Sequence, residues 1–403
     1  MRLIADLPKT RERARQELEL QIALAGALRS VKGFWDPEVA EAFDRARSFV
    51  LDSGEAGTIS HFSVLFGLFG TKFSGGQARA GLEHAREFLS LAQSRAEAGL
   101  LVTGYQILSQ ALITIGDYQA AFSEVERGAR LYESEKHRML AFQIASDPGV
   151  TMRGFWALGL WHQGYPDRAS AVAAEVLQHA RRPDAHPYHS HGLALHLIGM
   201  IAIAARRASE AEELGDEAVA IGSEHGLPTV LGCGLILQGW ALARRGANGA
   251  SVESIRKGIA TARYHPYKPI FLGVLAEALA LTGKIEEGLA VIGEALAIAE
   301  ASGARGNDAE LQRLRGELLG WLASPDWAEI EVCYRTAFAI ARSQGTRGFE
   351  LRAAVSLARL LSDQGRRSEA HDLLAPVYGW FTEGFDTRDL KQAKAMLYEL
   401  GGA

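Results

Sequence analysis

The chain has 403 residues, of which 48% are hydrophobic and 23% charged, with a net charge of −5 and two cysteines. That is enough chain for several domains or one long solenoid, and it excludes a low-complexity or disulfide-stapled framework. The slightly acidic balance argues against a general nucleic-acid binder, and two cysteines without a paired motif point to a reducing cytoplasm.

The N-terminus, MRLIADLPKTRERARQELELQ, is charged and amphipathic and does not read as a signal peptide. The most apolar runs, near Gly192–Ala205 and Val230–Ala243, are shorter than the ~20 residues of a membrane span. They contain His196 and Gln238, so no membrane segment is expected.

Thr10 to Val31 reads as an amphipathic helix with Leu18, Ile22, Ala25 and Leu28 on one face. Asp36-Pro37 starts a second helix that runs to about Ser53. Thr58 to Phe73 places Phe62, Phe66, Phe69 and Phe73 at helical spacing, a stripe expected to be core. Gln77 to Ala96 is its partner helix, and Asp147-Pro148-Gly149 and Arg182-Pro183-Asp184 read as breaks between units. Thr387 to Leu400 is expected to close the open end of the stack.

From residue 98 onward the helices repeat. Glu350–Phe381 forms two amphipathic helices around a turn at Gly365, and equivalent anchors stand at Gly116, Gly164, Arg206, Gly246 and Gly283. Seven residues before the anchors lie Ser109, Ala157, Gly199, Gly239, Ala276 and Ala358; five after lie Ala121, Ala169, Ala211, Ser251, Gly288 and Ala370. Only small residues stand at both offsets, so two helices can approach closely there. The anchor intervals are 37 to 48 residues, except for an 82-residue gap that spans the unit Asn307–Gly345, whose first helix is out of step. A lone hairpin of this kind cannot bury its apolar face and needs copies on each side. The expected fold is all-α: a single right-handed superhelical solenoid of about nine antiparallel hairpins. It divides into N-terminal hairpins (1–97), anchored repeats (98–383) and a C-terminal capping helix (384–403).

The chain resembles the C-terminal tetratricopeptide-like (TPR-like) repeat region of bacterial signal-transduction ATPases, including those fused to class III adenylate/guanylate cyclases. The resemblance is carried by Leu7-Pro8, Arg11–Ala14 and Gln16–Leu18, then QIASDPG at Gln143–Gly149 and LWHQGYP at Leu160–Pro166. It continues in His186-Pro187-Tyr188, Glu224-His225-Gly226, Gly239-Trp240-Ala241 and RLRGEL at Arg313–Leu318, and is densest in Leu351–Asp389, with LAPVYGWFTEGFD at Leu374–Asp386. It implies a sensor or partner-binding arm. The nucleotide-binding and cyclase parts of that architecture are not in this chain, so any such activity would belong to attached or associated domains.

No enzyme signature emerges from the sequence. Gly283-Lys284 is followed by Ile285, with Ala278 where a phosphate-binding loop needs its first glycine, and there is no H-E-x-x-H, C-x-x-C, G-x-S-x-G or dinucleotide fingerprint. No cofactor is expected. The alternative enzyme reading is a metal centre on His186, His189, His191 and His196, with His179 nearby. Without a neighbouring carboxylate or cysteine, structural or solvated histidines are the favoured account.

In stacks of the resembled type, the positions thirteen, ten, six and three before each anchor face the hollow. Here they include Gln106 and Gln110, Leu158 and Trp161, His196, Met200 and Ile203, Trp240, Ile270, Gly273 and Glu277, then Arg352 and Arg359. Their middle is apolar and aromatic. One reading packs these side chains across a tight hollow. The other makes an apolar pocket around Trp161, Met200 and Trp240, edged by Gln106, His196 and Glu277, with Arg352 and Arg359 as a basic end for a carboxylate. The expected function is a cytoplasmic module that binds a small molecule, peptide or protein partner in the hollow. Filling the hollow would tighten the superhelix and bias an effector. The alternative is a pure protein-interaction scaffold.

Overall fold

The computed structural model describes residues 10–137, 147–182, 188–246, 249–262 and 265–401. Leu7-Pro8, Gln143–Ser146, Pro183-Asp184 and His186-Pro187 lie outside these residues.

Among the described residues the fold is all-helical, with no strand. The helices are α1 (Arg11–Lys32), α2 (Pro37–Ser53), α3 (Ile59–Ser74), α4 (Ala78–Arg95), α5 (Ala98–Ile115) and α6 (Tyr118–Leu131). After a single turn at Ser134–His137 come α7 (Pro148–His162), α8 (Pro166–Ala180), α9 (Tyr188–Ala204), α10 (Ala208–Glu224), α11 (Pro228–Arg244) and α12 (Ala250–Ala262). A short 3-10 turn (His265–Tyr267) leads to α13 (Lys268–Leu281), α14 (Ile285–Ser302), α15 (Asp308–Gly320), α16 (Trp327–Gln344), α17 (Arg347–Asp363), α18 (Arg367–Tyr378) and α19 (Arg388–Gly401). Helices adjacent in sequence pack against each other, as a helical repeat requires.

Local chemistry sets the boundaries. Proline sits at the first turn of α2, α7, α8, α11 and α13, where its missing N–H leaves no helical bond unmade. Asp36 and Asp147 cap α2 and α7 by accepting from the Glu38 and Gly149 amides at 2.9 and 2.6 Å. The Asp147-Pro148-Gly149 break is therefore also a helix start. The stripe on α3 is core: Phe62 meets Phe88 edge-on at 5.0 Å, and Phe69 stacks on Phe73 at 5.2 Å.

All six anchors have positive φ, Gly116, Gly164, Gly246, Gly283 and Gly365 at 80° to 92° and Arg206 at 58°. The small residues before and after them meet at the helix crossings. A Cβ on Gly239 would lie 2.7 Å from the Ser251 carbonyl oxygen, and one on Gly288 would lie 3.2 Å from that of Ala276. The out-of-step unit is present as α15 and α16, joined by a longer turn at residues 321–326.

The odd-numbered helices from α5 to α19 form an inner row, each touching the next odd-numbered one. This row turns back on itself, and α17 contacts α7, so that α7, α9, α11, α13, α15 and α17 make a closed circuit. Two joints hold the closure. The Gly306 amide donates to Thr114 O at 2.9 Å and Tyr118 Oη donates to Gly306 O at 3.0 Å. At the α15–α16 unit, Gln344 Nε2 donates to Arg305 O at 3.0 Å and steadies the connection that carries Gly306. Glu383 Oε1 accepts from the Asp167 and Arg168 amides at 3.0 and 3.1 Å, while Asp167 Oδ2 accepts from the Gly384 amide at 3.0 Å. The circuit surrounds a hollow.

One described helix, Ala98–Ile115, is long and apolar enough to cross a membrane by length and composition, and 72% of it is buried inside the fold. This helix, and not Gly192–Ala205 or Val230–Ala243, meets the length and apolarity of a span.

Candidate functional site

The hollow contains a chain of paired charges that passes through five inner helices. At one end, Glu277 of α13 accepts from Arg206 Nη1 at 2.6 Å and from the Trp240 indole Nε1 at 2.8 Å, with Arg244 at 3.7 Å. In the middle, Arg313 of α15 grips Glu310 through Nε and Nη2 at 2.8 and 2.7 Å and also pairs with Glu317. At the other end, Arg352 of α17 lies 3.0 Å from Glu310 and 3.8 Å from Asp389 of α19. Four arginines face four carboxylates, so the chain is balanced in charge.

Burial alone would raise the Glu277 carboxyl, but the Arg206 charge and the Trp240 hydrogen bond outweigh it and hold it below its ordinary value. Glu310, equally desolvated, is held down to about 2 by Arg313 and Arg352. Pairs as buried as these add little net stability, but removing one partner is costly, so they fix the arrangement of the helices that carry them.

Beside this chain lies a cavity of about 90 Å³. Leu158, Met200, Ile203, Phe271, Leu314 and Phe349 form its apolar wall; His162, His196, Tyr267, Asn307 and the Glu277, Glu310 and Arg352 heads form its polar edge. His162 is 8% exposed, and its Nδ1 has no hydrogen-bond partner among the described residues. Its ring packs on Phe349 at 4.5 Å and Tyr118 at 5.5 Å. Burial pushes both His162 and His196 down to about 4, so both imidazoles are neutral near pH 7.

The structure gathers His196, Met200, Glu277 and Arg352 around this cavity. Trp161 lines a smaller neighbour of about 30 Å³ that shares His162, Phe349 and Arg352 with it. Trp240 lines neither: it is 0% exposed, and its role is to hold Glu277. Gln106 and Gln110 are buried in α5 away from both cavities. Arg352 and Arg359 do not form a basic end, since Arg359 is exposed two turns away on α17 and Arg352 is paired with carboxylates. The histidines diverge: His191 pairs with Glu217 at 2.8 Å, whereas His196 packs against Tyr267 and Phe271. Among the described residues no group of three His, Cys, Asp or Glu side chains could hold a metal ion, and His186 lies outside them.

Sequence reasoning missed His162, Glu310 and Arg313. His162 stands two residues before an anchor rather than three. Glu310, Arg313 and Glu317 belong to the unit that has no anchor; their signal was the i, i+3, i+7 charge spacing on one helix face.

No family model matches the chain. It is 26% identical, over 253 residues, to an uncharacterized protein of Rhizobium meliloti (strain 1021); the match covers 61% of this chain and 24% of that protein. The chain thus spans about a quarter of that relative's length.

Proposed function

We propose that this chain is a non-enzymatic sensor module of bacterial signalling, which binds a small, largely apolar molecule with a hydrogen-bonding head in the hollow. In this reading α1 to α18 are nine hairpins wound in a right-handed sense, and α19 is the cap. The observation that carries it is the buried His162, whose Nδ1 has no partner among the described residues, on the polar edge of a cavity with an apolar wall. A ligand head would complete that hydrogen bond while its body packs on Met200, Leu314 and Phe349.

The size of the cavity sets the mechanism. At about 90 Å³ it is well below the ~300 Å³ at which ordinary ligand pockets begin. A metabolite-sized ligand would have to part α7 from α17, so binding widens the circuit, where the sequence led us to expect tightening. It changes shape only because the wide and narrow forms bind the ligand differently. The moving ends of α7 and α17 would then be read by an attached or associated effector, such as a signalling ATPase or cyclase. A protein scaffold without a small ligand is the second reading, favoured by the exposed Trp321, Trp327 and Val332 on the α15–α16 unit.

Thermal-shift screening against metabolites tests the first reading. A ligand at 100 times its dissociation constant stabilises by about 2.7 kcal/mol, and Met200→Trp, which fills the cavity, should abolish that shift. No shift with any metabolite, or a shift that survives Met200→Trp, removes the cavity as the sensing site.

A further inference from the structure

A second cleft, of about 460 Å³, opens beside the closure: Asp117 comes from the α5–α6 turn and Gln119 from the start of α6, Arg305 from the α14–α15 connection and Asp308 from the start of α15, and Ser343 and Gln344 from the end of α16. It lies outside the hollow and shares no lining residue with the central cavity.

Two hydrogen-bond acceptors in this cleft are unsatisfied. Asp308 is 5% exposed; its Oδ2 accepts from Arg305 Nε at 2.8 Å, but its Oδ1 has no partner among the described residues. Gln344 donates through Nε2 to Arg305 O at 3.0 Å, which orients the amide and leaves Oε1 buried without a donor. Buried acceptors of this kind are normally paired. The donors of the cleft are directed elsewhere: Arg305 Nε to Asp308 Oδ2 at 2.8 Å, Tyr118 Oη to Gly306 O at 3.0 Å and Ser343 Oγ to Ile340 O at 2.8 Å. Two carboxylates, Asp117 and Asp308, and one guanidinium line the cleft, so it carries a net negative charge. What fits is a positively charged group with at least two N–H donors.

We infer that this cleft is a binding site for a small organic cation bearing an ammonium or guanidinium head, held between Asp308 Oδ1 and Gln344 Oε1. Such a ligand would join the α5–α6 turn to the α14–α15 connection and α16, and would stabilise the closed circuit from outside. The inference is independent of a ligand in the hollow.

The test is calorimetric titration of the purified full chain with agmatine and with putrescine, and with tetramethylammonium as a cation that has no N–H donor. Saturable binding of agmatine or putrescine is expected, with none for tetramethylammonium. Asp308→Asn should weaken it by at least about tenfold, as loss of a charge-assisted hydrogen bond does. Gln344→Leu, at a half-buried position, should weaken it too, and serves if Asp308→Asn fails to fold. Gln344→Glu should tighten it, and Met200→Trp in the central cavity should leave it unchanged. No saturable binding of either amine, equal binding of tetramethylammonium, or binding indifferent to both Asp308→Asn and Gln344→Leu overturns the inference.

Discussion

Arg206 donates to Glu277 at 2.6 Å from a backbone φ of 58°, the left-handed conformation that the five other anchors reach with glycine. The one anchor that departs from glycine is thus the one whose side chain is needed in the hollow. A non-glycine residue there carries strain on the order of 1 kcal/mol, offset only if the side chain does something glycine cannot.

Arg206→Gly should therefore destabilise the chain despite relieving the strain. Breaking a buried ion pair from one side costs about 3–5 kcal/mol, so a net loss of roughly 2–4 kcal/mol is expected in urea unfolding. The double variant Arg206→Gly/Glu277→Gln should recover part of it, because the carboxylate is no longer left uncompensated. Additive losses would show that the two groups act separately.

Trp240 separates packing from hydrogen bonding. Trp240→Phe retains most of the buried ring and removes the 2.8 Å donor to Glu277, for an expected loss of about 1–3 kcal/mol. Trp240→Ala should cost about 3–5 kcal/mol, which makes it a variant of the core and an unsuitable probe of ligand binding. A Trp240→Phe variant as stable as wild type, measured by chemical denaturation, would dismiss the bond to Glu277.

Acid should weaken the fold in two stages. His162 and His196 titrate near 4 when folded and near 6.5 when free, so below about 6.5 the unfolded chain takes up protons that the folded one does not. Their contribution is complete above pH 6.5 and is lost as the pH falls towards 4; at pH 5 the pair costs on the order of 3–4 kcal/mol. Glu310, held near 2, acts in a lower window: it stabilises above the ordinary carboxylate range and loses that effect between about 4.5 and 2. Unfolding free energies measured from pH 7 to 4.5 in wild type and His196→Gln check the first stage. The variant's profile should be flatter, and identical slopes would exclude His196.

Glu383 caps α8 from more than 200 residues away in sequence. Glu383→Ala should cost about 0.5–2 kcal/mol and speed amide exchange at Asp167 and Arg168 selectively. Protection there unchanged from wild type would show that this joint of the closure does not hold in solution.

The repeat was legible in the sequence because its requirements are local. A positive-φ anchor selects glycine, and two close crossings select small residues, so Gly365, Ala358 and Ala370 mark a hairpin without reference to anything distant. The closure was not legible. It depends on Glu383 meeting Arg168 and Tyr118 meeting Gly306, pairs that no periodicity connects. The site was half legible for the same reason: the anchor offsets placed Met200, Glu277 and Arg352 at the cavity, but they could not say that Trp240 turns into the core or that Arg352 already has carboxylate partners.

Small-angle X-ray scattering of the purified chain tests the closed circuit most directly. A compact 403-residue chain has a radius of gyration of about 22 Å, and the closed circuit with its N-terminal hairpins should fall below about 25 Å. Nine hairpins stacked openly at about 10 Å spacing would give roughly 28 Å or more. A value in that upper range would contradict the closure and the enclosed cavity with it.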